Sequence, residues 1–416
     1  MNSEPIAVIA GVRTPFAKLG TSLAGLGAAD LARVAILGVL VRTGIDPRRI
    51  DEVIFGCVAQ PADAPNLARV AALRSGVPES VPAVTVQRNC ASGIEAITQA
   101  ALRLRCGQGD LYLVGGVESM SSIPLLFPKS AGTKLASLAG GKGFLQKARA
   151  AVRLRPRDFF PTPALKLGLT DPVCGLNMGQ TAEILAREFG ITRSEQDLFA
   201  LRSHTRAATA AEKLAEEIVP VYDSSRGIAV LKDNGVRPHQ TMEALAKLRP
   251  VFEPVTGTVT AGNSSQITDG AVALLVGTAS VARELNLEPL GIIRDFAYAG
   301  CDPKRMGLGP VYAVERLLKR LHLSLDNADV IEINEAFAAQ VLAVLRELKA
   351  IGVGEIPDAK LNVNGGAIAL GHPVGASGAR LVLTAAQQLR RSGGQQALVV
   401  LCVGGGQGAA LWLERP

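Results

Sequence analysis

Apolar residues in this chain gather into short runs, and the stretches between them carry helical spacing. Ile6 to Ala10 reads as a strand, Ala28 to Arg42 as a helix and Val53 to Cys57 as a second strand. The apolar run Val81 to Val86, a helix pattern over Ala91 to Arg103 and the run Leu111 to Gly116 come next. The same order returns about 285 residues later, in Gly291 to Phe296, Val311 to Leu321, Val330 to Ile333, a helix pattern after residues 375–378 and Ala397 to Cys402. Strands alternating with helices predict a mostly parallel sheet covered on both faces. A repeat of this size predicts two fused halves related by a pseudo-twofold axis rather than a solenoid.

The stretch 121–250 breaks the repeat. It holds a basic amphipathic region, Lys129 to Arg157, in which Leu145, Ala148 and Val152 alternate with lysines and arginines at helical spacing. A helix start follows at Met178-Gly179-Gln180, and another after the cap-like Thr192-Arg193-Ser194-Glu195. The expected organisation is a first half at 1–120 and 251–284, an inserted loop domain at 121–250 and a second half at 285–416.

With 416 residues, 48% of them hydrophobic, the chain can bury one large core or two medium ones, and disorder is excluded. The net charge of +7 is modest for this length. With 4% aromatics and no basic run interleaved with stacking residues, nucleic acid is not an expected partner. An acidic small molecule such as a nucleotide-bearing thioester fits the same balance. No apolar stretch approaches the ~20 residues of a membrane span. The six cysteines form no CxxC pair, which argues against zinc. Scattered thiols without a signal peptide pattern lead to the expectation of a reduced, cytoplasmic protein, and Leu413 to Pro416 carry no peroxisomal address.

Three of the glycine-flanked loops hold chemistry. Cys90, in Gln87 to Gly93, follows a buried-strand pattern and opens a helix. A thiolate there meets free N–H groups and the positive end of the helix dipole, so its pKa is expected to fall. His372, in Gly371 to Gly378, is the natural group to take the Cys90 proton. Cys402 ends a strand and opens the loop Val403 to Gly408, whose N–H groups can face a developing oxyanion. The strand pattern Ala409 to Leu413 speaks against a phosphate-binding helix there. Asn334 and Glu335 sit at a strand-to-helix junction, where they serve either a site or a helix cap. The competing readings are a small core residue for Cys90 and a loop histidine satisfied by backbone for His372. His204, His239 and His322 have ordinary surroundings. In the internal alignment Cys90 matches Gly375 and Cys402 matches about Gly116, so each half brings one thiol from a different loop to a central site. Two thiols and an imidazole on such loops point to carbon–carbon bond chemistry on thioesters.

Six blocks, in order, resemble the thiolase family: Gly11-Val12-Arg13-Thr14-Pro15-Phe16, Asn89 to Gly93, Gly257 to Ser265, Asn334-Glu335-Ala336-Phe337, Gly371-His372-Pro373 and Cys402 to Gly408. The resemblance covers essentially the whole chain. It implies an α/β thiolase-like fold of two duplicated βαβαβ-type halves with mixed five-stranded sheets packed in layers, plus an inserted loop domain. It implies an acyltransferase that cleaves 3-ketoacyl-CoA with CoA to acetyl-CoA and a shortened acyl-CoA, and runs the reverse Claisen condensation, through an acyl-cysteine. Cys90 would be the nucleophile, His372 its activator and Cys402 the general acid and base. One oxyanion site would come from His372 with a water held by Asn334, the other from the backbone N–H groups of Cys90 and Gly404. Ser265 matches a position that contacts the pantetheine arm. Coenzyme A is then a substrate, with no cofactor and no metal.

Short-chain biosynthetic thiolases carry a histidine where this chain has Asn177. With the basic insertion 124–172, this resembles the thiolase subunits of fatty-acid oxidation complexes. Longer acyl chains and a hydratase/dehydrogenase partner subunit are then implied, with a homodimer or homotetramer as the assembly; the basic amphipathic insertion 124–172 itself reads either as a solvated face or as a contact with a membrane surface or partner subunit. The Asn334-Glu335 form is the common thiolase one, whereas some complex subunits place a histidine first. The alternatives are a short-chain acetyl-CoA acetyltransferase, a ketoacyl synthase and a non-catalytic lipid-binding relative. Cys402 argues against the synthase, and the joint presence of Cys90, His372, Asn334 and Cys402 against the last.

Overall fold

A computed structural model describes residues 4–223 and 226–416. The first half runs β1 (Ile6–Arg13), α1 (Ala28–Thr43), β2 (Glu52–Gly56), α2 (Leu67–Arg74), β3 (Ala83–Val86), α3 (Ser92–Arg105) and β4 (Leu111–Glu118). In the insertion the longer helices are α4 (Lys129–Ala139), α5 (Phe144–Val152), α6 (Met178–Glu188) and α7 (Arg193–Thr209), after which β5 (Thr268–Thr278) closes the half. The second half repeats the order: β6 (Gly291–Gly300), α8 (Gly309–Leu321), β7 (Val330–Ile333), α9 (Ala338–Ala350), α10 (Val374–Ser392), β8 (Gln396–Val403) and β9 (Gln407–Glu414).

The strands lie in the order β7-β8-β9-β6-β1-β5-β4-β2-β3, with the short strand Ala17–Lys18 added beside β5. The expectation of a mostly parallel sheet fails. Only β2–β3, β2–β4 and β7–β8 run parallel, because each half ends in an antiparallel pair, β4–β5 and β8–β9. The two halves are not separate sheets: β1 pairs β6 antiparallel through Ile6↔Ile293 and Val8↔Gly291. The first half supplies five strands. Among the described residues the second supplies four, with the single bridge Ile331↔Leu361 in the place of a fifth.

Among the described residues three large apolar cores follow, with a small fourth cluster at Ala207, Ala210, Leu214, Ala369 and Leu370. One packs α1 and α2 on the first half of the sheet, and another packs α8 and α9 on the second half. The third holds α3 and α10 between them, with Ile94, Ile97, Leu381 and Leu383 buried. Glycine decides how close that central layer comes. A Cβ on Gly116 would stand 2.0 Å from the Gly375 carbonyl oxygen, and one on Gly93 2.6 Å from the Ala379 nitrogen. The starts of α3 and α10 therefore meet side by side in mid-molecule, one from each half.

In the insertion both expected helix starts form with reciprocal caps. Asn177 Oδ1 accepts from Gln180 N and Gln180 Oε1 from Asn177 N, both at 3.0 Å, and Thr192 pairs with Glu195 in the same way. Asn177 is thus the N-cap of α6. The helices α4 and α5 form a hairpin pinned by buried Asp158, which accepts from Lys134 Nζ (2.7 Å), Arg155 N (2.7 Å) and Ser130 Oγ (3.1 Å). The bond from Lys134 leads in holding that carboxyl down to about 2. The hairpin leaves Phe144 86% and Val152 85% exposed. Among the described residues no helix is long and apolar enough to cross a membrane.

Candidate active site

Cys90, Asn177, Ser265, His372, Cys402 and Gly404 all border one cavity of about 1350 Å³ between the central helices and the insertion. Two loops from opposite halves build its floor. The first joins β3 to α3 and carries Cys90, half-buried, two residues before the helix begins. The second is the turn Gly404–Gly406 between β8 and β9, with Cys402 fully buried one residue before the strand ends.

The expected fall of the Cys90 pKa is overturned. Burial pushes the thiol up, and the backbone N–H groups of Gly404 and Cys90 pull only partly against it, while the Glu118 carboxylate adds to the rise. The helix dipole loses to desolvation here because the half-buried thiol is packed among protein groups and lies outside the first helical turn. The Cys402 thiol is raised further by burial and by the proximity of Cys90. Both sulfurs therefore rest protonated.

His372 is held at both ring nitrogens. Ser377 Oγ donates to the Pro373 carbonyl at 2.9 Å and stands 2.5 Å from Nδ1. A hydroxyl whose proton is committed to a carbonyl can only accept from the ring, so the network assigns the proton to Nδ1. Nε2 is left with its lone pair, facing Asn334 Nδ2 at 3.4 Å. Burial lowers the imidazole to about 4, with the charge of Arg380 assisting. The ring is neutral at pH 7 and basic at the nitrogen toward Asn334. The resting pair is thus thiol and imidazole rather than thiolate and imidazolium.

Asn334 is fully buried after β7, its N–H bonded to Val400 O at 2.9 Å, and its Oδ1 is buried without a protein partner. The Asn-Glu pair divides at this point. Glu335 turns to the opposite side, where it accepts from Ser203 Oγ (2.6 Å), Asn362 Nδ2 (2.9 Å) and Ile368 N (3.2 Å) and joins the insertion to the second half. Ser265 is half-buried at the cavity wall, its N–H on Ala336 O at 2.9 Å. The bland readings of two other histidines stand. His204 is buried and neutral, its pKa lowered to about 4 by burial, and accepts from Arg237 N at 3.2 Å; His322 ends α8.

Glu118 is the site residue that the apolar pattern passes over. It ends β4 fully buried and accepts from Val58 N (3.1 Å), Ala59 N (2.9 Å) and Gly375 N (2.9 Å), tying the loop after β2 to the start of α10 beside His372. An acid closing an otherwise uncharged strand, after Gly115-Gly116-Val117, was the available signal. Among the described residues no group of three His, Cys, Asp or Glu side chains is placed to hold a metal ion.

Models of the thiolase N-terminal domain and the thiolase C-terminal domain match residues 6–280 and 287–415. The chain belongs to the thiolase family. As a thiolase it is an acyltransferase. It is 46% identical to the beta-ketoadipyl-CoA thiolase of Pseudomonas aeruginosa, over 99% of this chain and 100% of that one. It is 43% identical to a probable acetyl-CoA acyltransferase of Staphylococcus aureus, over 97% and 98%. Among solved structures, this thiolase superposes on the acetyl-CoA acetyltransferase of Bacillus anthracis with TM-score 0.89 at 38% identity, covering 99% of both chains. Human mitochondrial 3-ketoacyl-CoA thiolase in complex with CoA gives 0.87 at 36%, covering 99% of this thiolase and 98% of the human chain.

Proposed function

We propose that this thiolase cleaves 3-ketoacyl-CoA with CoA in fatty-acid β-oxidation, with Cys90, His372, Cys402 and Asn334 as its catalytic residues. The observation that carries the reading is the convergence of two protonated thiols and one neutral, Nε2-basic imidazole on a single cavity. His372 takes the Cys90 proton as the sulfur attacks the ketone carbon. The bond between that carbon and the α-carbon breaks, its electron pair leaves as the enolate of acetyl-CoA, and Cys402 protonates it. Acyl-Cys90 remains. Cys402, now a thiolate, takes the proton of CoA, whose sulfur attacks the acyl-thioester and expels Cys90 as a thiolate, which recovers its proton from His372. The products are acetyl-CoA and an acyl-CoA two carbons shorter, and the reverse sequence is the Claisen condensation.

Two oxyanions form at different steps, which is the reason for two donor sets. The N–H groups of Cys90 and Gly404 would face one. His372, with a water held by the unpartnered Asn334 Oδ1, would face the other. Ser265, on the cavity wall, would contact the pantetheine arm. Coenzyme A is read as a substrate, without a further cofactor.

Longer acyl chains are supported by the cavity volume and by apolar lining at Met120, Ile123, Leu169 and Phe337. A short-chain acetyl-CoA acetyltransferase is the second reading, favoured by the Bacillus anthracis neighbour. CoA-dependent cleavage of acetoacetyl-CoA, 3-ketohexadecanoyl-CoA and 3-ketoadipyl-CoA separates the readings. Preference for the sixteen-carbon substrate supports the proposal, and preference for either of the others replaces it.

The domain division stays as proposed from sequence, 1–120 with 251–284, 121–250 and 285–416; Met1 to Ser3 and residues 224–225 lie outside the described residues. A cytoplasmic homodimer or homotetramer is proposed. Segment 124–172 is proposed to contact a hydratase/dehydrogenase subunit or a membrane surface. It contains nine basic and two acidic residues, an excess equal to the whole chain's +7, beside the exposed Phe144 and Val152. Absence of co-sedimentation with anionic vesicles at low salt would remove the membrane reading.

A further inference from the structure

The turn Gly404–Gly406 has no side chain with which to hold itself. Gly405 and Gly406 take φ of +90° and +78°, conformations that glycine adopts freely. One end of the turn is fixed by backbone, Cys301 N to Gly406 O at 2.7 Å. The other end is fixed from the opposite half of the molecule, by Asn89 Nδ2 donating to Gly404 O at 2.8 Å. Asn89 is in turn oriented by Gln87, whose Nε2 donates to Asn89 Oδ1 at 3.1 Å. Because the Gly404 carbonyl can only accept, the bond to it settles which end of the Asn89 amide faces the turn. On the far flank Arg88 Nη1 donates to Gln407 Oε1 at 3.2 Å. Two consecutive residues before the nucleophile, Arg88 and Asn89, thus reach the segment that follows the second thiol, and Gln87 supports the second of them.

Asn89 itself sits at φ +42°, in the left-handed region. Asparagine tolerates that region, but glycine would serve the backbone better. The amide is therefore accounted for by its bond to the turn rather than by the fold of its own loop. Gly404, whose carbonyl holds that bond, and Cys90 both border the cavity, and their backbone N–H groups act to lower the Cys90 thiol.

We propose that Asn89 is a positioning residue: its amide clamps the glycine turn so that the Gly404 N–H is held against Cys90 and against the oxyanion that forms beside it. The proposal rests on the reading of Cys90 as the nucleophile. Removing an oxyanion donor outright costs about 10²–10³ in rate, and letting it drift costs less, roughly 10- to 100-fold.

The test uses the full chain with Asn89→Gly, which relieves φ and deletes the amide, and Gln87→Ala, which keeps Asn89 but frees its orientation. Steady-state thiolysis, iodoacetamide labelling of Cys90 against pH and thermal unfolding are measured on each. Asn89→Gly is expected to lose roughly 10- to 100-fold in kcat with KM within about threefold, and to move the labelling profile to higher pH, since a donor to the thiolate has gone. Gln87→Ala should move both in the same direction by less. Asn89→Gly with kcat within about twofold of wild type and an unshifted labelling profile overturns the clamp. Labelling needs no turnover, so a wild type inert toward 3-ketoacyl-CoA would sink the functional reading while the profile still decides the clamp. If Asn89→Gly does not fold, the Gln87→Ala profile decides it.

Discussion

Ser377 makes the reading of His372 quantitative. Its hydroxyl, 1% exposed, spends its proton on the Pro373 carbonyl and offers its lone pair to the ring at 2.5 Å. In Ser377→Ala the Nδ1–H loses its acceptor inside the protein, and a buried donor without a partner costs about 1–3 kcal/mol. The ring escapes that cost by moving its proton to Nε2, the nitrogen that must be bare to receive the Cys90 proton. At about 1.4 kcal/mol per factor of ten, the productive tautomer falls by roughly 5- to 150-fold, and kcat should fall with it. Substrate affinity should hold, because Ser377 lies behind the ring. The assay is thiolysis under saturating CoA, with acyl-enzyme formation followed by intact-protein mass spectrometry. A variant that folds and acylates at the wild-type rate would show that Ser377 does not set the tautomer.

Three further outcomes are expected. Cys90→Ala abolishes acyl-enzyme, whereas Cys402→Ser still acylates from substrate and loses condensation; full condensation by Cys402→Ser would show its role to be misassigned. The lowering of His372 from 6.5 to about 4 means that protons favour the unfolded chain. Its contribution is complete above pH 6.5 and is lost as pH falls through about 4, a loss of about 3 kcal/mol. His372→Gln should therefore flatten the pH dependence of unfolding across that window, and parallel curves would contradict the assignment. Gly116→Ala would press a methyl into the Gly375 carbonyl, so a lower melting temperature is expected, from overpacking of about 1–3 kcal/mol or more.

The strands and helices were legible because their apolar residues are spaced as the elements require, and the repeat was legible because two copies of one pattern lie about 285 residues apart. The run Leu111 to Gly116 was placed correctly but ended too soon, which left Glu118 unread. Strand direction was not legible. An antiparallel pair needs only a turn, yet β4 and β5 are separated by the whole insertion, so nothing local marks them as partners. The two thiols stood out through their glycine neighbours, whereas their ionisation did not. A motif shows that a helix follows Cys90, and only the packed structure shows that desolvation outweighs the N–H groups around the sulfur. Asn89 and Ser377 were in plain view inside their motifs, but their partners, Gly404 and the ring of His372, are fixed by geometry.

The same junction has opposite contents in the two halves. Between β8 and β9 stand three glycines; between β4 and β5 stand residues 119–267. In both places the chain leaves and re-enters through neighbouring antiparallel strands, at Val403↔Gln407 and at Glu118↔Gly270. A sheet that receives its strands back in register is indifferent to what lies between the exits. The long junction can therefore vary where it does not pack on the halves, and replacing 124–172 with the corresponding segment of another thiolase should change chain-length preference while leaving the sheet intact. The short junction has less freedom, since the clamp holds the Gly404 carbonyl and a side chain on Gly406 would strike the Cys301 and Pro303 backbone. One duplicated scaffold thus keeps a constrained hinge for bond making and a replaceable cassette for choosing what is bonded.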